Sequence, residues 1–181
     1  LDISNLFQDL DINIWQSDES NMTMCINSLV KNALRSNPDW LIVAESRGKE
    51  MLEVLNSAMT GHPILTTIHS MDAQSMPNRI IRMVMMNDKD LSYKSIKSDI
   101  LSHLNFYVYL KNDWDEEGKS YRHVQEVIEV DEKGNKVSLY KYDKSGPKFE
   151  KLSKRSLKIM NFDGASEQFK EIFLKEELDE K

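Results

Sequence analysis

Cysteine is almost absent from this 181-residue sequence, where Cys25 stands alone. A single thiol excludes an internal disulfide and any metal knuckle built on several cysteines, and it fits a reducing compartment. Long apolar runs are also missing. The longest uncharged stretch, Val54 to Met71, includes Asn56, Thr60, His62, Thr67 and His69. It is far too polar for the ~20 mostly apolar residues of a membrane-spanning helix. No basic residue precedes Lys31, so the cationic start of a signal peptide is not visible. Internal repeats and low-complexity tracts are lacking. Basic residues are outnumbered 24 to 30 by acidic ones, for a formal net charge of −6. Nucleic-acid binding, which needs dense Lys and Arg against phosphate, is therefore not expected as a direct activity.

What is present is globular. Apolar residues make up 40% of the chain, enough for a core in a chain of one-domain length, so general disorder is excluded. The sequence begins with Leu1 rather than Met, which reads as a piece of a longer protein. Charge is unevenly spread. Residues 1–30 carry only acids, among them Asp2, Asp9, Asp11, Asp18 and Glu19, whereas residues 144–158 hold six cations against Glu150. That basic stretch reads as a solvated face or as a contact with an anionic membrane or a partner.

Periodicity marks the elements. Ile26, Leu29, Val30, Ala33 and Leu34 recur at helical spacing until Asn37-Pro38. Trp40–Ala44 is a short continuous apolar run, predicted as a parallel-type strand buried on both faces. Helical spacing returns over 49–60 and ends at Gly61, and Ile64–Ile68 forms a second buried strand entered through Pro63. Ile80, Ile81, Val84 and Met85 mark one helix; Ile96, Ile100, Leu101 and Leu104 mark another. The segments 105–111, 121–130 and 137–142 are then strand-like with short links, as in an antiparallel meander. A last amphipathic helix is expected on Phe169, Ile172, Phe173 and Leu178. The expected division is an α/β unit over 1–112 and an antiparallel extension with a helical tail over 113–181.

In open parallel sheets, ligands sit at the carboxyl ends of the strands. Glu45 follows the first strand and His69 the second. A carboxylate at such a mouth can order a water, help hold a metal, or cap the next helix, where the helix dipole favours negative charge. A lone His after an apolar run is more often a hydrogen-bonded structural group. A metal shared by His62 and His69 is excluded by reach, since the strand between them separates the two by about 20 Å at roughly 3.3 Å per residue.

Taken together, the segments Leu29–Leu52 (LVKNALRSNPDWLIVAESRGKEML) and Gly61–Ser70 (GHPILTTIHS) resemble the secretion ATPases of the type II/type IV superfamily. In that family an NALR-x-x-PD junction leads into a Walker B strand ending in Glu, then Arg-Gly, a helix and a His box. The wording is nearest the Tad/Flp (CpaF-type) branch, whose tail resembles RHVQEVIEV (residues 122–130) here. The resemblance implies a RecA-like P-loop NTPase core working as a homohexamer with ATP and Mg²⁺. Glu45 would be the Walker B glutamate that polarises the attacking water near magnesium. His69 would be the His-box residue that senses the γ-phosphate. Arg47 would lie beside the nucleotide or in a subunit-interface salt bridge, and Asp2, in LDISNL, parallels the acid of the family's Asp box. The implied partner is an inner-membrane platform protein, with the motor cytoplasmic and peripheral to the inner face of the membrane. Lys151, Lys154 and Arg155 are candidates for contact with that platform or with anionic lipid.

The departures from the family pattern carry information too. No G-x-x-x-x-G-K-[ST] occurs, so the chain lacks a backbone cradle for the β-phosphate, the P-loop lysine and the hydroxyl for Mg²⁺. The expectation is the C-terminal half of a secretion, pilus or conjugation motor ATPase, inactive by itself and with no nucleotide bound to it alone. Ala44 stands where the family has Gly, Ser46 where an apolar residue is usual, and Pro63 in place of the Tad-type Asp-Gly. The alternative is a non-enzymatic docking module that kept the fold without the P-loop. A zinc or hydrolase domain ranks third.

Overall fold

The computed structural model describes residues 11–87, 90–131, 133–143 and 146–162, the side chains of 159–162 apart. Asp2 and the helix expected on Phe169, Ile172, Phe173 and Leu178 lie outside the described residues. The chain order is α1 (Ile26–Leu34), β1 (Leu41–Val43), α2 (Met51–Met59), β2 (Ile64–Thr66), α3 (Met76–Val84), α4 (Tyr93–His103), β3 (Phe106–Trp114), β4 (Ser120–Val130), β5 (Lys136–Asp143), β6 (Gly146–Phe149) and α5 (Lys154–Phe162).

The first half is a β-α-β unit in which β1 and β2 run parallel, with Leu41 opposite Ile64 and Val43 opposite Thr66. Its entry follows from local chemistry. Helix α1 ends at Leu34, and Asn37 takes a left-handed backbone (φ 47°) that turns the chain into Pro38. Asparagine tolerates that region better than branched residues. The second half is a four-stranded antiparallel sheet in the order β3-β4-β5-β6. Both longer hairpin links use one device: an aspartate carboxylate (Asp115, Asp131) accepts backbone N–H groups across the turn, and a glycine (Gly118, Gly134) supplies the positive φ.

The two halves share one core. Val30, Leu41, Val43, Met51, Val54, Ile81, Met83 and Ile100 cluster with Tyr107, Ile128 and Val130 of the antiparallel sheet. Burying such side chains contributes about 1.5–3 kcal/mol each. One expectation is corrected. The parallel strands are covered on one face only: Leu41 and Val43 are buried, but Ile42 is 53% and Leu65 55% exposed. Side chains alternate along a strand, and helices pack on one side alone among the described residues. A continuous apolar run was therefore no measure of two-sided burial.

The basic stretch also gains structure that its charge did not signal. Gly146 (φ 108°) opens β6, which pairs with β5, and Lys154 begins α5. The start of α5 is held by Glu129 of β4, a fully buried carboxylate. It accepts the Ser153 N–H at 2.9 Å and the hydroxyls of Ser153 and Ser156.

Candidate functional site

The site grows from the carboxyl ends of β1 and β2. Pairing continues past the strands, because Ser46 N–H donates to Thr67 O at 2.9 Å and Thr67 Oγ1 donates to Ala44 O at 2.6 Å. Ser46, where an apolar residue was expected, is buried, and its hydroxyl lies 3.0 Å from that of Thr66. A buried hydroxyl costs little once it is paired. These bonds lock the two strand ends in register and fix the backbone on either side of Glu45.

Glu45 is thereby brought to the two other residues that the sequence places on this edge, Arg47 and His69. Its Oε2 accepts from Arg47 Nη2 at 2.7 Å, and its Oε1 lies 3.2 Å from His69 Nε2. The Oε1 atom is shut off from solvent yet has no well-aligned donor, while the His69 side chain is 90% exposed. The arrangement is a carboxylate seated at the strand mouth, flanked by a guanidinium and an imidazole that reach into open space. The Arg47 hydrogen bond, and then its charge, hold the Glu45 carboxyl below the usual glutamate range, with a smaller push from His69. The same pair raises Arg47 further.

Sequence reasoning missed Glu50. Its carboxylate accepts the backbone N–H groups of Arg47 and Gly48, the latter at 2.8 Å, and so shapes the turn that aims Arg47 back at Glu45. The signal was present as a carboxylate three residues after Arg47, the spacing of a reciprocal helix-start bond. His62 lies before β2, its Nδ1 3.0 Å from Thr60 Oγ1, whereas His69 lies beyond the other end of the strand. Lys154 and Arg155 sit in the first turn of α5, with Lys151 just ahead of it.

Because the folded-state pKa of Glu45 is depressed, the pair contributes stability above the unfolded-state value and loses it as pH falls through the folded value. Arg47→Ala should raise the Glu45 titration toward that of an ordinary glutamate in a carbon-detected NMR experiment. An unmoved titration would show that Arg47 does not hold the charge.

The sequence model of the type II/IV secretion system protein family matches residues 5–107. The chain belongs to that family. Among relatives, this secretion-family chain is 31% identical over 109 residues to an uncharacterized protein of Bacillus anthracis, covering 60% of this chain and 24% of that protein. Its fold is similar to the VirB11 ATPase of the Brucella suis type IV secretion system, with TM-score 0.50 and 28% identity, over 56% of this chain and 30% of that one. It is likewise similar to the Legionella pneumophila ATPase DotB, with TM-score 0.53 and 24% identity, over 66% of this chain and 31% of that one; this second likeness shows the fold alone. The expected α/β class, parallel strands followed by an antiparallel sheet, is the one observed. The secretion-family chain spans less than half the length of the relatives it matches. No helix among the described residues is long and apolar enough to cross a membrane.

Proposed function

We propose that this chain carries the water-activating edge of a secretion or pilus motor ATPase, completed by a phosphate-binding loop that its residues do not contain. The observation that supports this most is the approach of Glu45 Oε1 to His69 Nε2, 3.2 Å apart across paired parallel strands. Phosphoryl transfer is mostly positioning and charge neutralisation, and a strand-end carboxylate held by Arg47 is rigidly placed for it. Glu45 takes the Walker B role, its carboxylate serving as acceptor for the hydrogen of the attacking water. His69 takes the His-box role, its exposed ring offering Nδ1 to a phosphate oxygen. Arg47 orients Glu45 and extends toward the nucleotide or a neighbouring subunit.

The residues present fit a magnesium nucleotide met through water, since Mg²⁺ keeps several waters of its own, and Glu45, with Oε2 held by Arg47 and Oε1 facing His69, would not be a direct ligand. Magnesium ATP, when bound, would supply the scissile phosphoanhydride and the cation that offsets its charge; Glu45 would hold the water and His69 would meet the phosphate. The proposal extends to a homohexamer on the cytoplasmic face of the membrane, docked on a platform protein. The test is a double-mutant cycle in the intact protein. Glu45→Gln and His69→Ala should each depress ATP turnover, and the double variant should lose no more than about threefold beyond the worse single one, because coupled groups act as a unit. Fully multiplicative losses would mean that the two side chains do not serve one step. Unchanged turnover in both would favour the non-enzymatic docking module.

A further inference from the structure

Away from the strand ends, three segments distant in sequence meet around a cleft of about 870 Å³. Helix α4 brings Lys97, the β4–β5 turn brings Lys133, and the first turns of α5 bring Lys154, Arg155 and Lys158. Five cations thus line one concavity of a chain whose formal net charge is −6. The acid on its wall, Asp131, is already occupied by the N–H groups of Lys133 and Asn135 and by Asn135 Nδ2. No ion pair within hydrogen-bonding reach engages Lys97, Lys133, Lys154 or Lys158 among the described residues. Gathering like charges costs Coulomb energy, so something in the fold must hold them together. Glu129 does so by fixing the start of α5, and Arg155 by donating to Ser102 O at 2.9 Å at the end of α4.

We propose that this cleft binds a phosphate group carrying more than one negative charge. Its lining favours a multiply charged anion, since three separate segments bring their cations to one cleft. Its chemistry favours phosphate over carboxylate. Four of the five cations are lysines, point charges that suit phosphate in any orientation, whereas carboxylate recognition relies on the guanidinium fork, and one Nη of Arg155 is already spent on Ser102. Two of the three walls lie beyond residues 5–107, so the cleft is separate from the ATPase reading and does not rest on it. The same chemistry is offered by a soluble phosphorylated compound and by a lipid headgroup.

The test uses the full chain in two arms. Pyrophosphate is titrated while the amide signals of Ser98 and Gly134 are followed by NMR, and vesicles of phosphatidylcholine with and without phosphatidic acid are used in co-sedimentation. The variant Lys97→Glu/Lys133→Glu/Lys158→Glu should lose at least about tenfold in affinity. The milder Lys→Gln triple should lose less, the Lys→Arg triple should retain binding, and Lys119→Glu should leave it unchanged. A loss confined to the pyrophosphate arm identifies a soluble ligand, and one confined to vesicles with phosphatidic acid identifies a headgroup. Affinity unchanged by the Lys→Glu and Lys→Gln triples in both arms overturns the proposal, as does failure of the unaltered chain to bind either probe, or displacement of either probe by polyglutamate at equal charge.

Discussion

On the proposed reading, Glu45→Gln should lower steady-state ATP turnover of the intact protein by at least about a hundredfold, the lower end of what a positioned base contributes. The amide keeps the length of the side chain and can still accept from Arg47. What it loses is the negative charge and the basicity of a carboxylate whose Oε1 lies 3.2 Å from His69 Nε2. Substrate affinity should change far less than turnover, because the carboxylate is proposed to act on water and not on the nucleotide base or sugar. Stability should also change little, since solvent screens an ion pair whose guanidinium and imidazole lie in the open. A phosphate-release assay gives the answer, and wild-type turnover in this variant removes Glu45 from the mechanism.

The second large effect is on stability. Glu129→Ala in the full chain should cost about 3 kcal/mol and lower the midpoint of thermal unfolding by about 10 °C. Glu129 is fully buried and satisfies three donors at the start of α5. Its truncation leaves those donors unpaired and opens a cavity where the carboxylate met Ser153 and Ser156. Glu129→Gln should be intermediate, as its amide presents N–H groups to donors. Ser156→Ala, which removes one donor and leaves the carboxylate two, should cost least. Equal midpoints for wild type and Glu129→Ala, measured by circular dichroism, would show that α5 is held by other contacts.

Both effects trace to side chains whose roles were differently legible in the sequence. Glu45 and His69 stood out because each follows a short apolar run, and parallel strands align their carboxyl ends. Glu129 gave no such signal. It lies inside the strand-like run 121–130, where a charged residue reads as solvent-facing, and its partners are 24 and 27 residues away. Glu50 was hidden for the opposite reason: its partners are so near that it resembled an ordinary charge in the first turn of a helix. The strand β6 and helix α5 were masked by their own lysines, because a run of positive charge describes solvation and not backbone geometry.

Local order is therefore largely written in the amino-acid string. The 3.6-residue spacing of Ile26 to Leu34, the turn chemistry of Asp131 to Asn135 and the two short strands all follow from forces acting over a few residues, and each appears in the fold. Family membership was carried the same way, by linked motifs along 29–70. Only tertiary packing decided that Ile42 and Leu65 face outward, that Glu45 Oε1 lacks an aligned donor, and that Lys97, Lys133 and Lys158 share a cleft. Those outcomes depend on which surfaces meet across tens of residues, where burial and Coulomb energies outweigh any preference a segment holds alone.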